Sequence, residues 1–285
     1  MGSAQRYALV TGGGTGIGLG CAQSLVEAGY TVTICGRRAD VLDAARSQLA
    51  AGGGDVRTAV ADVTDEEQVA AAVEAAKGPG GELHAVVANA GMGTGAPITL
   101  MTADMLRSVF EPNVIGVFNT VKRSAIAMQA AEAGGSIIVV SSIAGALGGR
   151  FRAAYACSKA AVDMLVRVSA DELGPFQIRV NSVRPGLVPS EATVSIAGPE
   201  VVDGPAKEVQ DDYIANMPLG RLGTPEDVGS LVTFLAGDGA SWITGQNIAV
   251  DGGHTLRRAP NMEAALRAAM GDDVVDKLVG PRWGS

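Results

Sequence analysis

The 285-residue sequence is short of the residues that build metal centres and disulfide frameworks. It has two histidines, His84 and His254, and three cysteines, Cys21, Cys35 and Cys157, with no CxxC spacing. Zinc sites of the HExxH type and triads with a choice of histidine are therefore nearly excluded. An odd number of cysteines suits no disulfide framework. Charged residues are also scarce, 18% against about 25% in an average soluble domain, and 47% of the chain is hydrophobic, which excludes disorder over most of it. The net charge of −8 argues against nucleic acid or an anionic membrane as partner. No apolar run reaches the ~18 residues of a membrane span. The apolar stretch after Arg6 is cut off by glycines and is too short for a signal peptide. These absences point to a soluble, reduced, cytoplasmic protein that holds no metal.

Glycine, by contrast, is abundant, 39 residues without a collagen-like period, which marks tight turns and close backbone approaches. Short apolar runs rich in β-branched residues recur at Tyr7–Val10, Thr31–Cys35, Arg57–Ala61, His84–Asn89, Ser136–Ser141, Ile178–Val183 and Asn247–Val250. Their lack of strict alternation predicts strands buried on both faces. Helical patterns separate most of them. Ile17, Cys21, Leu25 and Ala28 share one face of a helix that stops at Gly29. Further helices are predicted over Val41–Ala51, Asp65–Lys77, Met105–Ala131, Ala153–Leu173 and Pro225–Ala236, the last with Thr224 as N-cap and Pro225 in the first turn. This alternation implies an α/β fold, a doubly wound parallel seven-stranded sheet with helices on both faces. A single domain, 1–258, contains one long connection at 187–220, of the length expected for a lid or binding loop. An extension at 259–285 carries two short helical patterns, Met262–Met270 and Asp273–Val279.

The first strand runs into Thr11-Gly12-Gly13-Gly14-Thr15-Gly16-Ile17-Gly18. Unpaired N–H groups at a helix start bind phosphate where no Cβ blocks the approach, and Gly12, Gly16 and Gly18 supply that access. No Gly-Lys-Ser/Thr follows, so this is not a nucleoside triphosphate loop of the Walker type. The spacing Thr-Gly-x-x-x-Gly-x-Gly resembles that of the short-chain dehydrogenase/reductase family, whose members share a Rossmann fold and bind NAD or NADP. The resemblance runs over roughly residues 6–255. It implies that Thr15 and Ile17 join the glycines around the cofactor. It matches Asp62 and Val63 to the family's adenine contact and Asn89-Ala90-Gly91 to its cofactor-lining sheet end. It matches Pro185-Gly186 to the turn flanking the nicotinamide, with Val188 and Ser190 beyond it; Ser190 stands where many members carry Thr.

The end of the second strand discriminates between the two coenzymes. An acid there binds the adenosine ribose, and an arginine accepts a 2′-phosphate. Here Gly36 takes the discriminating place and Arg37 and Arg38 follow, so the reading leans to NADP over NAD. Asp40 could still reach a ribose, although a first-turn helix acid is the simpler role.

Tyr155 and Lys159 stand four apart, on one helical face. A free phenol, with a pKa near ~10, is too weak a base at neutral pH, and a neighbouring ammonium favours its ionised form. Such a tyrosine exchanges a proton with an alcohol or ketone as hydride moves. Ser142, thirteen residues before Tyr155, can hold the substrate oxygen, with Ser141 as the fallback. Asn113 lies in a helix disturbed by Pro112. The resemblance implies that it holds a water linked to Lys159. Asn113, Ser142, Tyr155 and Lys159 thus form the expected catalytic set, and the expected reaction interconverts a secondary alcohol and a ketone. The rival reading, a scaffold that senses dinucleotide without chemistry, has no need of that set.

Ile196, Val201, Val202, Tyr213, Ile214 and Met217 suggest an apolar small-molecule substrate. Cys157 is expected to be a small buried residue and His254 a surface one. The resemblance implies a homotetramer packed through Met105–Ala131 and Ala153–Leu173. The extension is expected to dock on a neighbouring subunit with Trp283 as anchor.

Overall fold

The computed structural model describes residues 5–189, 207–257 and 263–279. Seven strands form one sheet: β1 Arg6–Thr11, β2 Tyr30–Gly36, β3 Val56–Val60, β4 Ala85–Ala88, β5 Gly135–Val140, β6 Ile178–Pro185 and β7 Asn247–Val250. Their order is β3-β2-β1-β4-β5-β6-β7, and every neighbouring pair is parallel. Helices cover both faces: α1 Gly16–Glu27, α2 Ala39–Ala51, α3 Glu66–Ala76, α4 Ala103–Phe110, α5 Gly116–Ala131, α6 Ala153–Leu173, α7 Lys207–Asn216 and α8 Pro225–Ala236. Two short helices, α9 Glu263–Met270 and α10 Asp272–Val279, follow the sheet.

The five inner strands are buried on both sides because each face carries its own core, whereas the edge strands β3 and β7 are only partly buried, contrary to the expectation for all seven. Leu9, Val86, Ile137 and Val180 pack beneath Val73, Val121 and Val166 on one side. Val10, Val32, Ile34 and Ile138 pack against Leu25, Leu42 and Val232 on the other. The strand order reverses between β1 and β4, and the crevice beyond the carboxyl ends there is where such sheets take ligands. Local chemistry sets the helix starts. The Asp65 carboxylate accepts from the Glu67 and Gln68 N–H groups. Thr224 and Asp227 form a reciprocal capping box in front of α8.

The single helix expected over Met105–Ala131 is broken. Between α4 and α5 the chain widens into a π-turn over Glu111–Ile115. Pro112 has no N–H to donate, and the wider winding accommodates the lost bond. In the long connection, α7 brings Tyr213 and Met217 against Phe151, Leu187 and Leu222. Ser190, Ile196, Val201 and Val202 lie outside the described residues. In the extension, α9 packs against α7 of the same chain, and Val275 of α10 is buried; Trp283 lies outside the described residues.

Candidate active site

The glycine turn is stapled to the end of β4. The Thr11 hydroxyl oxygen accepts from the N–H groups of Asn89 and Ala90, at 3.0 and 3.1 Å. The Asn89 amide donates back to the carbonyls of Thr11 and Gly12. Gly12 and Gly16 adopt φ of +64° and +53°, and a Cβ on Gly18 would collide with the Gly12 carbonyl. Thr15 sits at the N-cap of α1 without a side-chain capping bond. The first N–H groups of α1 are therefore left for an anion, with the helix dipole behind them.

A cavity of about 620 Å³ opens from this turn along the carboxyl ends of the strands. Gly12, Thr15, Gly16, Ile17 and Gly18 line it, as do Gly36, Arg37, Arg38, Asp62, Val63, Asn89, Ala90 and Gly91. At Gly36 an added Cβ would meet only a Leu42 methyl at 3.7 Å, so the strand end is open. The Arg37 guanidinium reaches to 4.0 Å from Asp62, whose other oxygen is held by the N–H and hydroxyl of Thr64. Asp40 is exposed in the first turn of α2 and is absent from the cavity wall. A phosphate cradle at one helix start and two arginines at the next strand end fit a dinucleotide carrying a 2′-phosphate.

At the far end, Ser142, Tyr155 and Lys159 share the wall with Pro185, Gly186 and Val188. The Lys159 ammonium donates to the Val140 carbonyl at 2.9 Å and lies 5.6 Å from the centre of the Tyr155 ring. The Ser142 oxygen accepts from the Ala144 N–H, which leaves its hydroxyl hydrogen for a ligand. Ser141 instead donates to the Lys159 carbonyl, so it braces α6. Asp163, one turn beyond Lys159, makes a buried ion pair with Arg184 and accepts from Ser182. That pair locks α6 against β6 and fixes the height of Tyr155 above the sheet.

Asn113, expected to hold a water linked to Lys159, has its side chain satisfied within the protein. It is fully buried behind the wall. Both its amide hydrogens are spent, on the Met92 carbonyl and the Ser158 hydroxyl, while its oxygen accepts from the Met92 N–H. Ser158 in turn donates to the Tyr155 carbonyl. Asn113 thus ties the loop after β4 to the turn of α6 that bears Tyr155.

Two expectations are corrected. His254 is fully buried, edge-on to Tyr213 with ring centres 5.0 Å apart. Cys157 is exposed because it faces outward from α6, whereas burial pushes the Cys21 and Cys35 thiols up to about 12. Arg152 is the cavity residue that sequence reasoning missed. Its guanidinium carbon lies 5.6 Å from the Tyr155 ring centre, and Nη1 donates to the Tyr213 hydroxyl at 3.1 Å. Its position at the N-cap of α6, three residues before Tyr155, was the available signal. Among the described residues no cluster of His, Cys, Asp or Glu could hold a metal ion, and no helix is long and apolar enough to cross a membrane.

Comparison with known proteins gives this geometry a lineage. A family model described as enoyl-(acyl carrier protein) reductase matches residues 12–255. Trans-4-hydroxycyclohexanecarboxylate dehydrogenase of Sinomonas cyclohexanicum is 38% identical over 258 residues, 88% of this chain and 93% of that protein. A short-chain type dehydrogenase/reductase from Mycobacterium ulcerans superposes with a TM-score of 0.86 at 40% identity, covering 96% of this chain and 98% of that one. A point variant of actinorhodin polyketide ketoreductase, solved with NADPH, superposes with a TM-score of 0.81 at 30% identity, covering 88% of this chain and 97% of that one. The family model spans most of the chain and these relatives cover nearly all of it at 30% identity or more, so the chain belongs to the short-chain dehydrogenase/reductase family of NAD(P)-dependent oxidoreductases.

Proposed function

We propose that this protein interconverts a secondary alcohol and a ketone with NADP, Tyr155 serving as the proton donor and acceptor. The observation that carries the reading is that Ser142, Tyr155 and Lys159 face the same cavity as the glycine turn. The nicotinamide of a bound coenzyme supplies or accepts the hydride. The chain's residues do the rest. Ser142 donates its hydroxyl hydrogen to the substrate oxygen and holds it beside Tyr155. In reduction, the Tyr155 hydroxyl gives its proton to that oxygen as negative charge builds there; in oxidation it takes the proton back. Lys159, held by Val140, stabilises the negative charge left on the phenol oxygen. Asn113 acts as a positioning residue through Met92 and Ser158.

The preference for NADP rests on the open strand end at Gly36 and on Arg37 and Arg38 in the wall. Oligomer formation is supported by exposed apolar side chains at Phe118 and Ile126 of α5 and Met164 and Val168 of α6. Faces of this kind mark protein contacts, and they favour a homotetramer built on these helices. The three free cysteines suit a cytoplasmic setting. The relative from Sinomonas suggests a ring-bearing substrate, so 4-substituted cyclohexanones head the panel to try.

The test is to follow NADPH oxidation with that panel, then repeat it with Tyr155→Phe. The expected result is turnover by the native enzyme and its loss, with coenzyme binding kept, in the variant. Turnover unchanged by Tyr155→Phe overturns the assignment.

A further inference from the structure

The cavity holds a cation that the proton-transfer chemistry does not use. Arg152 is half-buried at the N-cap of α6 and lines the cavity beside Tyr155. Its Nη1 is taken by the Tyr213 hydroxyl. Its Nε is buried with no hydrogen-bond partner, and no carboxylate pairs with the guanidinium among the described residues. A half-buried guanidinium without a counter-charge is costly to keep, because its lost hydration goes uncompensated. Nη2, which is not buried and makes no hydrogen bond among the described residues, is the nitrogen that can reach a ligand, and a charged N–H donor there suits a carboxylate oxygen.

The surroundings hold Arg152 in this pose. Phe151, just before it, adopts φ of +68°, a left-handed conformation that an aromatic residue rarely takes. Its carbonyl is fixed by the Ala96 N–H at 2.9 Å. Tyr213 is buried edge-on to His254, so the hydroxyl that meets Nη1 has a fixed place. Backbone strain kept beside a cavity is a mark of a functional position.

We propose that Arg152, oriented by Tyr213, is the anchor for a carboxylate on the substrate, so that the enzyme acts on hydroxy acids and oxo acids. The proposal rests on the oxidoreductase reading above and deepens it. It replaces the apolar substrate expected from the sequence with one bearing a negative charge remote from the reacting carbon. An ionic contact there holds the ring or chain so that its carbonyl meets Ser142 and Tyr155 in one register.

The test uses the full-length protein saturated with NADP+, and 4-oxocyclohexanecarboxylate and its methyl ester as probes. Binding of each is measured by calorimetry to the native protein, Arg152→Leu and Arg152→Lys; kcat and KM are measured with NADPH. The native protein is expected to bind the acid about 10- to 100-fold more tightly than the ester, the worth of one charge-assisted hydrogen bond. Arg152→Leu is expected to lose that preference through KM rather than kcat, and Arg152→Lys to keep part of it. Equal binding of acid and ester by the native protein overturns the proposal, as does an acid preference that survives in Arg152→Leu. Should Arg152→Leu fail to bind NADPH, the native acid-to-ester ratio and Arg152→Lys decide. Acid binding that depends on Arg152, without turnover of any ketone, would sustain the anion site and sink the oxidoreductase reading instead.

Discussion

The Lys159 ammonium and the Val140 carbonyl oxygen are 2.9 Å apart, so the end of β5 holds the cation that lies 5.6 Å from the Tyr155 ring centre. Because a strand carbonyl fixes it, this charge is in place before the proton moves. Tyr155→Phe removes the proton itself, and kcat is expected to fall by about 10²- to 10⁴-fold, the usual worth of a positioned acid or base. Lys159→Met leaves the phenol but removes the charge beside it. Its rate of alcohol oxidation is expected to recover in part as pH is raised, since free hydroxide then assists loss of the phenol proton. Steady-state rates across pH check this, and a Lys159→Met profile parallel to that of the native enzyme would contradict it.

Coenzyme choice should turn on one backbone position. A Cβ at Gly36 meets only the Leu42 methyl at 3.7 Å, so an acidic side chain can be built there without moving the strand. In Gly36→Asp a carboxylate would confront the 2′-phosphate and offer acceptors to a bare ribose. The expected outcome is a KM for NADPH raised by at least tenfold, about 1.4 kcal/mol, with KM for NADH lowered. Arg37→Ala should weaken NADPH alone, because its guanidinium is mostly exposed at the cavity wall and only loosely approaches Asp62, at 4.0 Å. Equal losses for both coenzymes would mean that Arg37 serves the fold.

The pattern of what could be read in the sequence follows from the range of the interactions involved. The inner strands of the sheet were legible because burial on both faces leaves continuous apolar runs, as in Ile137–Val140. The start of α8 was legible because Thr224, Pro225 and Asp227 settle it within one turn. Tyr155 and Lys159 were legible because helical spacing alone puts them together. The π-turn at Glu111–Ile115 was not, since Pro112 signals a broken bond but not the winding that absorbs it. Arg152 escaped because its partner Tyr213 is 61 residues away, across the long connection. The burial of His254 likewise depends on where α7 comes to rest.

Stability should depend on a pair that touches no ligand. Asp163, with a side chain only 6% exposed, takes Nε and Nη2 of Arg184 at 2.9 and 2.8 Å. Removing one member of such a pair leaves the other charged and buried. Arg184→Ala is expected to cost about 3–5 kcal/mol, seen as a lower midpoint in urea. The double variant Arg184→Leu with Asp163→Leu should recover much of the loss, since neither charge is then stranded. A single variant as stable as the native protein would show that water reaches Asp163.

The stability of the protein should fall in mild acid, and one responsible proton belongs to His84. The Tyr7 N–H donates to His84 Nδ1 at 3.1 Å, which requires that nitrogen to be unprotonated, and the two rings stack with centres 6.2 Å apart. Burial holds the imidazole below its ordinary value of 6.5; the nearby Arg6 pushes the same way, and Glu82 and Asp238 oppose it. Well above pH 6.5 both folded and unfolded chains carry a neutral His84, and the group adds nothing to the pH dependence. Below it, the unfolded chain takes up a proton that the folded chain resists. Stability therefore falls as pH drops, until His84 titrates in the folded protein too. Urea midpoints between about pH 7.5 and pH 5 should decline in the native protein, a window chosen to lie above carboxylate titration. His84→Gln, whose amide oxygen can still accept from Tyr7, should decline less over the same interval. Identical slopes in the two proteins would assign the acid sensitivity to other groups and leave the Tyr7–His84 bond without a part in it.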